Sequence, residues 1–530
     1  MRPSSHWCPS VWDVKLTSAL SRSDLRLVLA SCAAACGVAT MSTAFNFVLA
    51  PIDDTFQASE FQMTLLREAP SIAALLMVFP AGVLGPRLGE KRFILLSAAL
   101  FSAGTLIAAI APVIEVATAG FLIANVGRTG MFIVGIAFMA RSITSQDGRA
   151  AAFSFFYMVL PVVSIVMPVL AGLLVNGPGW RAVALACSLF GLASVLVIQV
   201  FIPPVTPSAE AGEMWTPALA GVALALLVRM LNGLSNHGID SASFIVPLVL
   251  ASVTLAVLIV VMKRISRPSI SVEPLRRAAF VILLAVLMFF GFANLWFYTT
   301  LAFQYIFDMS VLESAVAMIP AQLTAIIGAA LAGRLVQQLG VPRAGFILIV
   351  AVAVSLWLSM VVSATGPLWL PILIVSIYAL FAVGAGVPIT TAIMGSVSKG
   401  QEGDASAYRG AATNLGNALS VAFMTAIVAA TINLSLRNEY AAAGMSPGTV
   451  PPIAKDMQAG ATAQMLSSEY SMTVAQVQSV DAMQVHAFVD GYRMQGLVGG
   501  FVTLGVGIVF LIVTRRQERE GTVQARSRSG

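Results

Sequence analysis

The sequence predicts an all-α polytopic membrane protein with about fourteen transmembrane helices, and three observations support this fold class. First, 58% of its 530 residues are hydrophobic and 10% are charged, with a mean hydropathy of +0.89. Soluble proteins carry about 25% charged residues, so composition alone indicates a membrane protein. Second, the apolar residues fall into long, separate segments. Third, lysine and arginine are concentrated on one side of those segments.

Each apolar segment has roughly 20 residues or more, which is enough to cross the hydrocarbon core as a helix. The predicted spans are 28–50, 62–85, 93–113, 115–140, 150–176, 181–203, 214–235, 243–263, 279–305, 312–336, 343–364, 368–391, 405–433 and 494–514. The predicted organisation is a tail without a signal-peptide pattern, a six-helix half, two linking helices, a second six-helix half with a long loop, and a C-terminal tail. These parts are residues 1–27, 28–203, 204–278, 279–514 (with the loop at 434–493) and 515–530.

The placement of lysine and arginine tests this helix count. With fourteen helices and both termini in the cytoplasm, 23 of the 30 lysine and arginine residues lie in cytoplasmic tails and loops. Such an excess is the pattern that sets membrane orientation, and adding or removing one helix would scramble it. Because the cations are spread over short loops rather than one face, we expect the lipid bilayer as a partner and no nucleic acid.

The chain also contains an internal repeat. GVLGPRLGEKR at Gly82–Arg92 and GRLVQQLGVPR at Gly333–Arg343 share glycine, leucine and a final arginine at an offset of 251 residues. Each copy ends one helix and begins the next, and glycine allows the tight turn between them. Two related halves with a site at their interface are a common transporter design.

The fifth predicted helix is bent and closely packed. It carries Pro161 and Pro168 inside an apolar run, and proline bends a helix in a way that lipid tolerates only where other helices cover it. Ala171 and Gly172 then form a small-residue face for close packing. Residues 176–179 end the helix. On these grounds alone, a helix of this kind is more often only a packing element.

The order of residues in this region resembles a known motif. Pro168, the pair Ala171–Gly172 and the pair Trp180–Arg181 follow the spacing of the fifth-helix antiporter motif of the major facilitator superfamily. That motif contains Gly-Pro-x-x-Gly-Gly and is followed by Trp-Arg; here Met167 and Ala171 replace two glycines. In the superfamily the motif marks exporters, so the resemblance implies export.

The first repeat copy resembles the superfamily's signature loop between helices 2 and 3, which has a gating role. The residues that fit are Gly82, Arg87, Gly89, Lys91 and Arg92. Pro86 stands where the family has aspartate and Glu90 where arginine is usual, so the gating role of this loop is open.

Three further segments resemble the fourteen-helix drug:proton antiporters of the EmrB/QacA branch. They are Met41–Pro51, Gly384–Ile393 and Gly403–Ala422, although Ser42 replaces the usual acidic residue of the first. The resemblance implies a bacterial inner-membrane protein that uses the proton gradient and no cofactor. It also implies a periplasmic adaptor protein as a candidate partner of loop 434–493; the alternative is a loop without a partner.

Ionisable residues inside spans are the candidates for chemistry. No nucleotide-binding loop, catalytic triad or metal-ligand pattern is visible in the sequence, so we expect a non-enzyme without a metal. A charge at the bilayer centre costs at least about 2.5–3.5 kcal/mol. We therefore expect Glu68 to exchange protons, with the neighbouring Arg67 favouring its ionised form; the alternative is an interfacial Arg67–Glu68 pair that extends to water. Arg128, which resembles an intramembrane arginine of the superfamily, is expected to be the charge partner. Arg229 is expected only to pair across helices.

Candidate substrate contacts lie in helices 9 and 13. Asn294, Tyr298 and Tyr305 are spaced to share one helix face. The other candidates are Trp296, Gln304, Asn414 and Asn417. Aromatic rings and amides suit large amphipathic or cationic aromatic compounds, although aromatics at a helix end can also be interfacial anchors.

The sequence predicts proton-coupled efflux of hydrophobic or amphipathic drug-like compounds by alternating access. The first alternative is an exporter of one metabolite, siderophore or lipid, which the missing acidic residues at Ser42 and Pro86 favour. The second is a membrane sensor or scaffold that does not transport.

Overall fold

The computed structural model describes residues 22–143, 145–203, 205, 207, 213–237, 239–265, 295–309, 311–397, 401–443 and 474–529. All regular structure within these ranges is helical. The helices are α1 (Arg22–Phe56), α2 (Glu60–Leu88), α3 (Glu90–Ala109), α4 (Ile114–Ser142), α5 (Gln146–Asn176), α6 (Trp180–Phe201), α7 (Trp215–His237), α8 (Ala242–Arg264), α9 (described over 295–305), α10 (Val311–Ala317), α11 (Ile319–Leu358, followed by a 3-10 turn at Ser359–Val361), α12 (Trp369–Gly395), α13 (Glu402–Ala442) and α14 (Val474–Ser529).

Twelve helices in the described part of the chain are long and apolar enough to cross a membrane. One of them, Glu313–Val361, contains a turn at Gly340 and therefore covers two of the predicted spans. The predicted span 279–305 is described only from residue 295 onward. The predicted all-α, many-helix fold class is confirmed, whereas the count of fourteen stays a prediction.

Glycines with positive φ form the turns that the repeat predicts. Gly89 (φ 80°) separates α2 from α3, and Gly340 (φ 77°) turns the chain inside α11. These glycines occupy equivalent positions of the two repeat copies, so both copies use a backbone conformation that other residues rarely adopt. Gly179 (φ 96°) makes the corresponding break between α5 and α6.

The helices form two groups with a linking pair between them. We call α1–α6, which pack on one another, the N-terminal half, and α9–α14 the C-terminal half. In the latter, hydroxyl hydrogen bonds join α9 to α13 and to α14. The linking helices α7 and α8 pack together, and α7 also contacts α2 and α13. The linking pair therefore lies against the seam between the halves.

Within the C-terminal half, α11 and α12 approach until their backbones touch. A Cβ placed on Gly328 would lie 1.7 Å from the carbonyl oxygen of Leu380, and one on Gly384 would lie 2.9 Å from the carbonyl oxygen of Gly328. Buried alanines line the same face of α11, at Ala321, Ala325, Ala329 and Ala332. Small residues are what allow membrane helices to pack this closely.

The two halves meet at one end of the molecule, which we call the charged end because Glu90, Arg141 and Glu402 lie there. A Cβ on Gly82 of α2 would lie 2.8 Å from the carbonyl oxygen of Gly403 of α13, so these two helices are in backbone contact. On the other side of the seam, the Ser154 hydroxyl of α5 donates a hydrogen bond to the Ala329 carbonyl of α11. The seam is closed at the charged end.

Candidate functional site

Three charged side chains form a cluster across the seam at the charged end. Arg141, in the last turn of α4, forms an ion pair with Glu90 of α3 and another with Glu402 of α13, the latter with an N–O distance of 3.5 Å. Both carboxylates are buried and lie in the first turn of their helices, where the helix dipole favours negative charge. A shared cation offsets the cost of burying two carboxylates, so the cluster joins the two halves.

A second cluster lies deeper in the seam around Arg409 of α13. Its guanidinium donates hydrogen bonds to the hydroxyl oxygens of Tyr157 in α5 and Thr390 in α12, the latter at 3.0 Å. It also lies 6.0 Å from the ring centroid of Phe132 and 5.8 Å from that of Tyr157. Arg409 is 5% exposed, so neutral groups hold a buried cation here.

Arg128 lies on α4, one helical turn before Phe132. Its Nε donates a 2.6 Å hydrogen bond to the side-chain oxygen of Asn125, the residue three positions earlier. Phe132 packs against both large hydrophobic clusters of the protein, each of which contains residues from both halves. The ring that Arg409 approaches from α13 therefore lies one helical turn after Arg128 on α4.

Glu68 of α2 forms an ion pair with Arg229 of α7. The two helices run antiparallel. The backbone of Leu76, eight residues after Glu68, faces Gly221, which lies eight residues before Arg229. The side chains of Glu68 and Arg229 are 35% and 30% exposed, respectively, so the pair is only partly shielded from solvent. The expected pairing of Arg229 across helices is thus present, and its partner is the candidate proton carrier.

An apolar pocket of about 310 Å³ lies between α2 and α4, beginning beside Glu68. Its lining residues are Ala69, Ile72, Ala73, Leu76, Met77, Leu122 and Val126. A hydrogen bond of 2.6 Å from Gln62 to Glu115 fixes the register of the two helices at their first turns. The pocket offers dispersion contacts to an apolar ligand.

The structure does not gather the expected proton-coupling residues into one cluster. Glu68 is paired with Arg229, Arg67 is exposed, and Arg128 is bonded to Asn125. From the shared register of α2 and α4, Arg128 lies about one to two helical turns further along the bundle than Glu68. The functional roles expected for these residues stay predictions.

The expected substrate contacts occupy different surroundings. Tyr298 is buried and donates to the Thr425 hydroxyl at 3.2 Å, whereas Tyr305 is 55% exposed and packs on Phe488. The side chains of Trp296, Gln304 and Asn414 are partly buried, and that of Asn417 is exposed. Asn414 donates to the Gly410 carbonyl within its own helix. Asn294 lies outside the described residues.

The residues of the fifth-helix motif lie in one continuous helix, since α5 runs through Pro168 and Gly172 to Asn176. Ala171 is buried in the hydrophobic cluster of the N-terminal half. Trp180 at the start of α6 is also buried, and its Nε1 donates to the Thr55 hydroxyl at 3.0 Å.

The first repeat copy contributes polar contacts at the charged end. Arg87 donates to the backbone oxygen of Glu213 at 3.2 Å, and Lys91 donates to that of Gln199 at 2.9 Å. Arg92 lies in the first turn of α3 and is exposed. Glu90, which departs from the family pattern, is the residue of this loop that joins the cluster across the seam.

Sequence reasoning missed Arg409, Tyr157 and Glu402. The 23 cytoplasmic cations of the topology prediction include Arg409, but it lies in the second turn of α13 and is buried. The signal that could have revealed it is the run of small residues around it, Gly410, Ala411 and Ala412, because such residues line close helix contacts.

This fold, with two helical halves around a central seam and charged residues within the spans, defines a membrane transport protein. A family model described as Major Facilitator Superfamily matches residues 30–421. The chain belongs to this superfamily, as its motifs predicted.

Relatives of known name are similar along most of the chain. The drug efflux pump JefA of Mycobacterium tuberculosis is 26% identical over 491 residues, which are 89% of this chain and 94% of that protein. The multidrug resistance protein Stp of the same species is 22% identical over 402 residues, 74% of this chain and 73% of Stp. The solved structure of the human organic anion transporter MFSD10 aligns with a TM-score of 0.60 at 15% identity, covering 92% of this chain and 99% of that one. This last likeness is one of fold.

Proposed function

We propose that the chain is a proton-coupled exporter of amphipathic drug-like compounds in a bacterial cytoplasmic membrane. The observation that carries this proposal is its similarity to a drug efflux pump over 94% of that pump's length. The excess of lysine and arginine in the predicted cytoplasmic loops supports a cytoplasmic position for the charged end.

Transport proceeds by alternating access between the N-terminal and C-terminal halves. The contacts that close the charged end are ion pairs and hydrogen bonds around Arg141 and Arg409, which can break and re-form as the halves rock. Such rocking about an interface of repeats exposes a central site to one side at a time. The described state, closed at the charged end, is the one in which a compound can leave to the outside.

Proton coupling resides in the ion pair between Glu68 and Arg229. Protonation of Glu68 removes its negative charge and so releases Arg229. Because α7 contacts both α2 and α13, breaking this ion pair changes how α7 packs against the two halves at the seam. The proton gradient is then the energy source, and no cofactor takes part.

The test is proton movement driven by substrate in proteoliposomes. Rhodamine 6G and ethidium are added to vesicles with the wild type, Glu68→Gln or Glu115→Gln. Glu115 is the matched control, since it is also a carboxylate at the α2–α4 contact but lies in the first turn of its helix. We expect proton flux in the wild type and in Glu115→Gln, and loss of at least about 90% of it in Glu68→Gln, because glutamine cannot carry a proton.

The outcomes separate the parts of the proposal. If Glu68→Gln leaves the proton flux unchanged, the protein is still an antiporter, but Glu68 is not its proton carrier. Dye movement without any proton flux would refute proton coupling. Absence of both movements in all vesicles would contradict drug export itself.

A second candidate function is export of a single metabolite, siderophore or lipid. Ser42 and Pro86 favour it, because the drug:proton antiporters that the chain resembles have acidic residues there. A resistance screen with cells that overproduce the protein distinguishes the two: protection against several unrelated compounds supports multidrug export, and protection against none supports the narrow substrate.

The segment 434–493 is proposed to face the outside and to contact a periplasmic adaptor protein; its described parts are the end of α13, up to Ala442, and the start of α14, from Val474. Its support is the predicted topology, which puts the loop between the last two spans. Deletion of residues 450–465 would abolish resistance but leave transport in proteoliposomes intact if an adaptor is needed.

A further inference from the structure

The pocket between α2 and α4 is apolar along its whole length. Its lining residues, from Ala69 to Met77 on α2 and at Leu122 and Val126 on α4, carry no charged, amide or hydroxyl side chain. Its volume of about 310 Å³ is at the lower end of the range for pockets that hold drug-sized compounds, roughly 300–1,000 Å³. Glu68, which precedes Ala69, is paired with Arg229, so this end of the pocket offers a ligand no unpaired carboxylate.

Two contacts between α4 and α13 set the register of these helices across the seam. Arg141 of α4 pairs with Glu402 of α13. Eight residues before Arg141, Ile133 meets Gly410, which lies eight residues after Glu402; a Cβ on Gly410 would lie 2.6 Å from Cδ1 of Ile133. A 2.7 Å hydrogen bond from the Ser406 hydroxyl to the Ile133 carbonyl oxygen supports the same register. The two helices are therefore antiparallel.

This register places Asn417 opposite the pocket. Val126 lies seven residues before Ile133, and Asn417 lies seven residues after Gly410. Residues seven apart share one face of a helix, two turns along it. Val126, the pocket residue furthest along α4, and Asn417 therefore face each other across the seam.

The seam widens towards this level. Gly410 is packed against Ile133, Asn414 on the same face is partly buried, and Asn417 is exposed. The side chain of Asn417 thus borders the open space in front of the pocket. An amide there provides both a hydrogen-bond donor and an acceptor beside an otherwise apolar surface.

We propose that the α2–α4 pocket and Asn417 form a binding site for an uncharged aromatic compound with a carbonyl, amide or hydroxyl group. The ring system lies in the pocket, and the polar group exchanges a hydrogen bond with the Asn417 amide. This inference rests on the proposed export function and names its substrate class. An ionic group is disfavoured, because the pocket lining offers no opposite charge to offset its desolvation.

The experiment compares two dyes that share a benzophenoxazine frame: Nile red is uncharged with a carbonyl oxygen, and Nile blue is cationic with an amino group at that position. Binding to the purified full-length protein in detergent is measured by fluorescence polarisation, with the signal of protein-free micelles subtracted. We expect Nile red to bind more tightly. Val126→Phe fills the pocket and should weaken Nile red binding by at least about tenfold. Val200→Phe, on the exposed face of α6, is the matched control and should change it by less than about twofold.

Two substitutions of Asn417 test the hydrogen bond separately from the fold. Asn417→Leu keeps the size of the side chain but loses the hydrogen bond, so Nile red binding should weaken by about three- to tenfold. Asn417→Asp should weaken Nile red binding and tighten Nile blue binding, because a carboxylate attracts the cation. Asn433→Leu is the matched control, since Asn433 is an exposed asparagine of the same helix. A purely structural role of Asn417 would change the binding of both dyes in the same direction.

Several results would overturn this site. Nile red binding that Val126→Phe leaves unchanged would remove the pocket, and Nile red binding that both Asn417 variants leave unchanged would remove the hydrogen bond. Transport of rhodamine 6G by a protein that binds neither benzophenoxazine dye would leave the export function standing without this site. Nile red binding that depends on Val126 and Asn417, in a protein that transports no dye in proteoliposomes, would support the site and contradict the export function.

Discussion

The two copies of the repeat turn have the same backbone but different contacts. Gly89 and Gly340 adopt nearly equal φ angles, 80° and 77°. Beside the first glycine, Glu90 is buried and joins an ion-pair cluster that reaches the other half through Arg141. Beside the second, Val341 and Pro342 are buried within their own half.

This difference shows that the closure of the seam is asymmetric. The second copy contacts the N-terminal half through a hydrogen bond of 3.4 Å from the half-buried Gln337 to the backbone oxygen of Asp147. The first copy contributes ion pairs and the backbone contact of Gly82 with Gly403. The repeat thus has the same turn in both halves, while Glu90 of the first copy belongs to the ion-pair cluster that crosses the seam.

The largest effect is expected for Arg141→Met. It leaves Glu90 and Glu402 buried without their shared cation, and removing one partner of a buried ion pair costs about 3–5 kcal/mol. Because Arg141 is 33% exposed, we expect the lower end, about 3 kcal/mol, measured as reduced thermal stability of the purified protein. Arg343→Met, in the second copy, is the matched control and should change stability by less than about 0.5 kcal/mol. Equal effects of the two variants would contradict the asymmetry.

An intermediate effect is expected for alanine at the two turn glycines. A positive φ costs a residue with a Cβ about 1–2 kcal/mol, so Gly340→Ala should lower stability by that amount. Gly89→Ala should cost more, because its Cβ would also lie 2.8 Å from the carbonyl oxygen of Val205. Thermal unfolding of both variants checks the order, and a larger loss at Gly340 would show that the second turn is the more constrained.

The smallest effect is expected for Arg87→Met and Lys91→Met. Lys91→Met removes an exposed hydrogen bond and Arg87→Met a partly buried one, each from a side chain to a backbone oxygen, for which we expect about 0.5–1 kcal/mol. If either variant destabilised the protein as much as Arg141→Met, these cations and not Glu90 would be the residues of the loop that hold the seam.

The sequence predicted the turns and helix ends, because these depend on residues that are close together in the chain. The turns at Gly89, Gly179 and Gly340 follow from glycine at the ends of apolar runs, and all three have positive φ. The fold class follows from the length and number of those runs. Helix ends in the repeat were therefore predictable without knowledge of the packing.

The site was less predictable because its contacts join residues that are far apart in the chain. Glu68 and Arg229 are separated by 161 residues, and Tyr157 and Arg409 by 252. Arg229 was expected to pair across helices, but nothing local to it indicates which partner. The burial of Arg409 depends on how α13 packs against α2, α4, α7, α12 and α14, and the small residues that follow Arg409 in the sequence do not indicate which helices these are.

The backbone contact of α11 with α12 at Gly328 and Gly384 has a consequence for how force passes through the protein. With carbonyl oxygens against glycine, neither helix can slide or roll without a collision between main chains. The two helices therefore move together as one rigid body. A movement of Thr390 on α12, to which Arg409 donates a hydrogen bond, would therefore also move Ala329 on α11, which accepts a hydrogen bond from Ser154 on α5.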